Sequence, residues 1–216
     1  GNRRVDARPS AHWVAGQRLL MNREVDAVVL ENGAAAILDD GLAWDRCAVG
    51  VVTDLDLHPG LERHDVHDVD QLYRVLRTQV DVVLPDGVAV LNADEPRVAE
   101  MAGLCDGEVI LYGRDAESPA LARHRAAGAR TVSVSASHGA LVLAEGTRKS
   151  HRVRLDAPVT QQLVATLGEH TLMAAVAERE GLLDLGAVVI EVVCQRGLLA
   201  LGAAHGEDDT TDGQAE

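Results

Sequence analysis

The sequence predicts an α/β fold with a mainly parallel sheet. Short apolar runs rich in Val, Leu and Ile recur along the chain, at residues 27–30, 49–53, 88–91, 109–112 and 131–134. Segments with helical spacing of apolar residues lie between several of these runs. Because strands that alternate with helices form mainly parallel sheets, we expect one such sheet flanked by helices.

The predicted helices follow from apolar spacing and from start signals. Residues 66–83 place Val69, Leu72 and Leu76 near one face, and residues 96–104 begin with proline at a first-turn position. Two further helices are predicted, at 118–127 and 163–180.

The later part of the chain differs in pattern. Residues 139–143 and 152–155 resemble paired antiparallel strands, which predicts a small β appendage on the sheet. We therefore divide the chain into a main domain at 1–135, a β appendage and helix completing that domain at 136–180, and an unassigned apolar segment at 181–205. The acidic, apolar-poor tail at 206–216 is expected to be disordered.

Composition and charge exclude several classes of partner. The chain has 216 residues and a formal net charge of −14, so its long-range field repels nucleic-acid phosphates and anionic lipid surfaces. With no Phe, two Trp and two Tyr, it also offers few rings for base stacking. The longest apolar stretch is interrupted by Asp184, Glu191 and Arg196, which argues against a membrane span. We expect neither a nucleic-acid partner nor a membrane.

The cysteines indicate the compartment. Cys47, Cys105 and Cys194 are odd in number and far apart, without the spacing of a zinc site. A reducing cytoplasmic location fits this pattern.

Polar residues follow the apolar runs where strands end. Glu31 follows the first run, residues 53–58 end and follow the second, and residues 92–94 follow the third. Ligands of open α/β sheets gather at the carboxyl ends of the strands. We therefore expect these three groups to converge at one edge of the sheet.

Three stretches carry a resemblance to a known family. "VDAVVLENGAAAILDDGLAWDRCAVGVVTDLDLHPGL" resembles a segment of cyanophycin synthetases, which are relatives of the Mur ligases, and "VAVLNADEPRV" resembles that family's "YAVLNADDPxV". "LYGRDAESPALARHRAAGARTVSV" also follows the family pattern, and the similarity covers roughly residues 3–180. The resemblance implies part of a Mur-ligase-like central ATP-binding domain.

The resemblance implies an ATP-dependent amide ligase. In such enzymes ATP phosphorylates a carboxylate, an amine attacks the acyl phosphate, and Mg²⁺ neutralises charge during phosphoryl transfer. The implied cofactors are ATP and Mg²⁺, and the implied partner is a polymer of aspartate and arginine or a peptide. The sequence leaves the amino-acid substrate open, and it is also compatible with a homo-oligomer.

The same resemblance assigns four site residues. Glu31 occupies the position of a magnesium-binding glutamate, and His58 falls on the histidine of the family's "DHLGL". Asn92 and Asp94 match the nucleotide-side positions of "NADD".

Departures from the family pattern put catalysis in doubt. The chain contains no GxxxxGK[ST] phosphate loop, which the family carries upstream of the matching segment. Alanines at 34–36 replace the loop arginine and two glycines, Leu57 replaces an aspartate, and Leu76 replaces a lysine. The family's His-Asn motif survives only in part, as His170 followed by Thr171.

Plainer interpretations of the site residues stay open. Glu31 could cap the next helix or be solvated, and His58 could be an exposed turn residue. Asn92 and Asp94 could make ordinary turn hydrogen bonds. The acidic residues Glu62 and Asp65 lie between His58, His64 and His67, as in a solvated loop, so we expect no zinc site.

Two functional hypotheses follow. The chain is either a ligase segment that is inactive by itself, or a degenerate, non-catalytic Mur-ligase-like binding or scaffold module.

Overall fold

An eight-stranded sheet forms the centre of the computed structural model, which describes residues 13–23, 25, 28–135, 140–154 and 189–193. The strands are β1 (Val28–Glu31), β2 (Cys47–Val52), β3 (Val83–Asn92), β4 (Glu108–Gly113), β5 (Arg130–Ser135), β6 (Ala140–Glu145), β7 (Arg148–Arg154) and β8 (Val189–Val193). Their order across the sheet is β1-β8-β2-β3-β4-β5-β6-β7. All neighbours from β1 to β5 are parallel, while β6 pairs antiparallel with β5 and with β7. The predicted α/β class and mainly parallel sheet are confirmed.

Strand β8 comes from the apolar segment to which the sequence pattern assigns no element. It lies between β1 and β2 and is parallel to both, with Val192 opposite Glu31 on one side and opposite Val51 on the other. The first two apolar runs of the chain are therefore not neighbours in the sheet.

Six α-helices and two short 3₁₀ helices accompany the described strands. They are α1 (Trp13–Leu20), α2 (Ala34–Asp40), α3 (Val69–Leu76), α4 (Thr78–Asp81), α5 (Pro96–Ala99), α6 (Pro119–Ala126), and the 3₁₀ helices η1 (Pro59–His64) and η2 (Glu100–Leu104). The helix predicted at 66–83 is thus two helices, and the one predicted at 96–104 ends in 3₁₀ geometry. Helix α3 begins at Val69 because the Asp68 side chain accepts from the backbone N–H of Gln71, which closes a capping box.

The main hydrophobic cluster packs helices onto one face of the sheet. Leu72, Leu76 and Val80 are fully buried and share this cluster with Ala89 and Leu91 of β3. With almost no aromatic residues available, Leu and Val fill this core.

One glycine controls how closely α4 approaches the sheet. A Cβ on Gly50 of β2 would lie 2.7 Å from the Gln79 carbonyl oxygen and 2.8 Å from a Val83 methyl group. Only glycine permits this spacing.

Several predictions fall outside the described residues. These are the helix at 163–180, the pair His170 and Thr171, and the disordered tail at 206–216. The domain boundaries therefore stay predictions. In the described ranges, none of the helices combines the length and hydropathy that a bilayer span needs.

Candidate functional site

The carboxyl-terminal edge of the parallel strands gathers three of the predicted groups. Glu31 is the last residue of β1, Thr53 follows β2, and Asn92 is the last residue of β3. The register aligns Val52 with Leu91, so Thr53 and Asn92 lie at the same level on neighbouring strands. Polar groups at this edge are where an open α/β sheet presents its loops to a ligand.

Asn92 joins the ends of two strands. Its Nδ2 donates to the carbonyl oxygen of Thr53 at 2.7 Å, and its Oδ1 accepts from the backbone N–H of Asp94 at 3.0 Å. The residue is 4% exposed. Asn92 therefore directs its amide into the protein, where it holds the loop after β2 against β3.

Asp94 joins β3 to β4 in a similar way. Its carboxylate accepts from the backbone N–H of Arg114 at 3.0 Å and from the Arg114 Nε at 3.2 Å. A Cβ on Gly113 would lie 2.7 Å from Asp94 Oδ1, so this arrangement depends on a glycine at the end of β4. Asn92 and Asp94 therefore make the hydrogen bonds of a turn, and these bonds also connect neighbouring strands.

The loop at 53–58 is partly organised by its own polar groups. Thr53 Oγ1 donates to Asp54 Oδ2 at 2.8 Å, and the backbone N–H of Asp56 donates to Asp54 Oδ1 at 3.2 Å. His58 ends the loop as the exposed residue before η1. It lines a surface pocket of about 270 Å³ together with His67.

Helix η1 is anchored away from the sheet edge. Asp39 of α2 pairs with Arg63 at 2.5 Å and with His64 at 3.2 Å. His64 thus lies beside Asp39 and Arg63, while His58 and His67 line the pocket. Within the part of the chain that the structure describes, the three histidines do not form a metal-binding cluster.

Glu31 lies half-buried at the end of β1. Desolvation by burial raises the pKa of its carboxyl group above the ordinary glutamate value of 4.5. The protonated form is therefore retained to higher pH than in an exposed glutamate.

The described residues do not fit a complete magnesium site. Glu31 and Val51 flank β8, so the strand that carries Glu31 and the strand that leads to His58 are separated by two inter-strand spacings, about 10 Å. Within the described ranges, no group of three or more His, Cys, Asp or Glu side chains could hold a metal ion. Mg²⁺ requires six oxygen ligands in near-ideal octahedral geometry, several of them waters. Glu31 and His58 do not supply that shell between them.

The departures from the family pattern have structural consequences here. Alanines 34–36 form the first turn of α2, directly after Gly33, because alanine favours helix and glycine does not. Leu76 is fully buried in the main cluster, where a lysine ammonium would be desolvated. Leu57 is 42% exposed.

A larger groove lies beside this edge, and no feature of the sequence pattern indicates it. It has a volume of about 610 Å³ and runs between α5 and α6. Ala93 and Leu111 are among its lining residues, and Ala93 belongs to the turn between Asn92 and Asp94. The groove is lined by residues of two helices that are separate in the chain, and local periodicity does not reveal such a juxtaposition.

Comparison with known proteins shows which sequences this chain is similar to. The chain is 37% identical over 107 residues to the cyanophycin synthetases of Crocosphaera subtropica and Synechocystis sp., which covers 49% of this chain and 12% of each relative. It is 27% identical over 198 residues to the cyanophycin synthetase of Nostoc sp., which covers 87% of this chain and 22% of that protein. The chain is therefore similar to one part of cyanophycin synthetases, and the similarity is partial and diverged.

The chain spans between about an eighth and a fifth of the length of these relatives. Among solved structures, UDP-N-acetylmuramate:L-alanyl-gamma-D-glutamyl-meso-diaminopimelate ligase from Neisseria meningitides matches with a TM-score of 0.36 and 15% identity, over 59% of this chain and 32% of that one. No family model matches the chain.

Proposed function

We propose that this chain is a diverged segment of an ATP-dependent amide ligase of the cyanophycin synthetase type, and that it does not catalyse ligation by itself. The observation that carries the proposal is the 37% identity to two cyanophycin synthetases over 107 residues. The arrangement of Glu31, Thr53 and Asn92 at one sheet edge supports it, because this edge is where α/β folds bind nucleotides.

Inactivity follows from the charges that the site lacks. Phosphoryl transfer depends on preorganised positive charge around the transferred phosphate, and removing one such element commonly costs about a thousandfold in rate. The sequence has no GxxxxGK[ST] motif, and the positions of the family's loop arginine and helix lysine hold an alanine and the buried Leu76. Several contributions are therefore missing together.

The proposed ligands are ATP with Mg²⁺, together with a polymer of aspartate and arginine or a related peptide, in the cytoplasm. Asn92 and Asp94 are the proposed nucleotide-side positions, and Glu31 and His58 the proposed metal-side positions. Since Asn92 is buried and its amide is bonded internally, its contribution to nucleotide binding is to shape the 92–94 turn. Waters and phosphate oxygens of ATP would have to complete any metal shell.

A second candidate is a non-catalytic binding or scaffold module. The hydrogen bonds of Asn92 to Thr53 and of Asp94 to Arg114 favour it, because they stabilise the fold without requiring a ligand. The burial of Leu76 favours it as well, since this leucine, at the position of the family's lysine, is part of the core.

Primer-dependent ADP release tests the proposal on the purified chain, with Mg²⁺-dependent ATP binding measured in parallel by calorimetry. We expect no ADP release above background with aspartate, arginine and a peptide primer. Glu31→Gln is the test variant, and Glu145→Gln, at the exposed end of β6, is the matched control. ADP release that requires primer and amino acid, and that Glu31→Gln alone abolishes, would show that the chain is active.

Complementation separates the two candidates. The chain is mixed with a polypeptide from a cyanophycin synthetase that carries the phosphate loop and ends where the present similarity begins. ADP release restored by the mixture supports the ligase segment. Its absence, when the two polypeptides associate, supports the scaffold module.

A further inference from the structure

The groove between α5 and α6 combines an apolar lining with a few polar groups. Its volume of about 610 Å³ lies within the range of about 300 to 1,000 Å³ that is typical of small-molecule sites. All the residues that line it belong to the described part of the chain. The apolar ones include Pro96 and Ala99 of α5, Leu111 of β4, and Pro119 and Ala120 of α6.

Arg123 brings a positive charge into this groove. Its Nε donates to the carbonyl oxygen of Pro119 at 3.1 Å, so the guanidinium is held along α6. Among the described residues, no carboxylate pairs with Arg123, and its two terminal nitrogens have no protein partner. These nitrogens carry four N–H groups that can donate to a ligand.

Acidic residues near Arg123 are already paired with other arginines. Glu100, which lines the groove on the α5 side, accepts from Arg97 at 2.5 Å. Glu117, just before α6, accepts from Arg125 at 3.3 Å. Within the described ranges, the uncompensated charge of the groove is therefore the positive charge of Arg123.

His124, the other basic residue of the lining, is used to hold the fold together. Its Nε2 lies 2.8 Å from the carbonyl oxygen of Val109, and since a carbonyl oxygen only accepts, Nε2 donates this bond. The bond ties α6 to β4. His124 therefore fixes a wall of the groove, while Arg123 is left to meet a ligand.

We propose that this groove binds a small organic carboxylate with an apolar body. A guanidinium pairs with a carboxylate through two parallel N–H···O bonds, and the apolar lining removes the body of the ligand from water. A cationic ligand would meet Arg123 but no unpaired carboxylate, and a neutral ligand would leave Arg123 without a partner. Charge complementarity therefore identifies the occupant as an anion. This inference does not depend on the proposed ligase function.

The proposal is tested by NMR titration of the full chain, with the amide signals of the groove residues as the readout. The probe is 4-phenylbutyrate, which joins one carboxylate to an apolar body. We expect saturable shifts that are largest for residues lining the groove. Absence of saturable shifts, or shifts confined to other parts of the chain, would overturn the proposal.

Four comparison compounds separate the contributions of charge, apolar body and size. The neutral 4-phenylbutanamide, the cationic 4-phenylbutylamine and acetate, which has no extended body, should each bind at least about tenfold more weakly than the probe. Equal affinity of any of them would contradict the proposed ligand class. The fourth is N-acetylglycylphenylalanine, which presents a peptide carboxyl terminus. If it binds more tightly than 4-phenylbutyrate, the groove is a peptide site and the proposal fails.

Three variants assign the binding to the groove. Arg123→Gln should weaken 4-phenylbutyrate by about tenfold or more, because the charge-assisted contact is lost, and its exposed position makes unfolding unexpected. Ala99→Leu places a larger side chain in the groove and should weaken binding to a similar extent without changing the charge. Arg74→Gln makes the same change of net charge at an exposed position outside the lining, and should alter affinity by less than about twofold. Unchanged binding in Arg123→Gln or in Ala99→Leu, or equal weakening by Arg74→Gln, would show that the carboxylate binds elsewhere.

Discussion

The Asn92 side chain donates a 2.7 Å hydrogen bond to the carbonyl oxygen of Thr53, which lies 39 residues earlier in the chain. This buried contact fixes the end of β3 to the loop that leaves β2. The loop at 53–58 therefore starts from a rigid point, whatever ligand the sheet edge binds.

Replacing Asn92 should destabilise the protein. Asn92→Ala removes the donor to Thr53 and the acceptor for the Asp94 N–H, so two hydrogen bonds of a buried side chain are lost at a cost of about 1 to 3 kcal/mol. Urea unfolding measures the change. Asp86→Asn, at an exposed position of the same strand, should alter stability by less than about 0.5 kcal/mol. Equal stabilities for the two variants would show that the hydrogen bonds of Asn92 contribute nothing.

The position of the Asp94 carboxylate should require a glycine at position 113, the end of β4. In Gly113→Ala the new methyl group would lie 2.7 Å from a carboxylate that Arg114 holds in place, so we expect a loss of about 1 to 3 kcal/mol. Gly103→Ala is the matched control, because no heavy atom lies within 4 Å of its Cβ position. That variant should be neutral or stabilised by up to about 1 kcal/mol. Thermal unfolding distinguishes the two, and a Gly113→Ala protein as stable as the control would contradict the tight contact.

The buried amide of Gln79 should lower the free energy of unfolding, and a single substitution should remove this cost. It is fully buried in α4, and neither atom of its amide has a hydrogen-bond partner among the described residues. Gln79→Leu should raise the free energy of unfolding by about 1 to 2 kcal/mol, because an unpaired amide no longer has to be desolvated.

Gln71→Leu is the control for that substitution. Gln71 Oε1 accepts from the backbone N–H groups of His67 and Asp68, so its loss should cost about 1 kcal/mol. Destabilisation by Gln79→Leu as well would mean that the amide has a partner outside the described residues.

The apolar runs of the sequence predict strands β1 to β5 well. A strand that is buried on both faces of a sheet needs a short apolar run of β-branched residues, and such runs are visible in the sequence. The strand predicted at 88–91 is the inner part of β3, which extends back to Val83 through an irregular segment. Pro85 in that segment argues against a strand there, since proline removes a ladder donor. Helix α2 is predicted only in the plainer interpretation of Glu31 as a helix cap, because the family resemblance marks the "NGAAA" stretch as a loop. The helix is present, but its N-cap is Gly33 and no side chain caps it.

The position of β8 could not be predicted from the sequence. Its residues are about 140 to 160 positions from the residues they pair with in the register, and local periodicity carries no information about such pairing. The consequence for the site is direct, since β8 separates Glu31 from the loop that carries His58. The position of polar residues at strand ends predicts that they share one edge of the sheet. It does not predict how far apart they lie along that edge.

The pH dependence of stability should carry a contribution from Glu31. Burial raises the pKa of this carboxyl group in the folded protein above its unfolded value near 4.5. The folded state therefore binds the proton more tightly than the unfolded state does. Glu31's favourable contribution is complete below the unfolded pKa and is lost as the pH rises through the folded pKa.

Glu31→Gln removes this dependence while keeping the shape of the side chain. The free energy of unfolding of the variant, relative to the natural chain, should increase as the pH is raised from about 4 to 7, because only the natural chain must then bury a carboxylate. Glu62→Gln, exposed on η1, provides the control for the loss of one carboxylate. Urea unfolding in the presence of a chelator measures both series without bound metal. A difference between Glu31→Gln and the natural chain that stays constant across this range would mean that Glu31 titrates in the folded protein as an ordinary exposed glutamate.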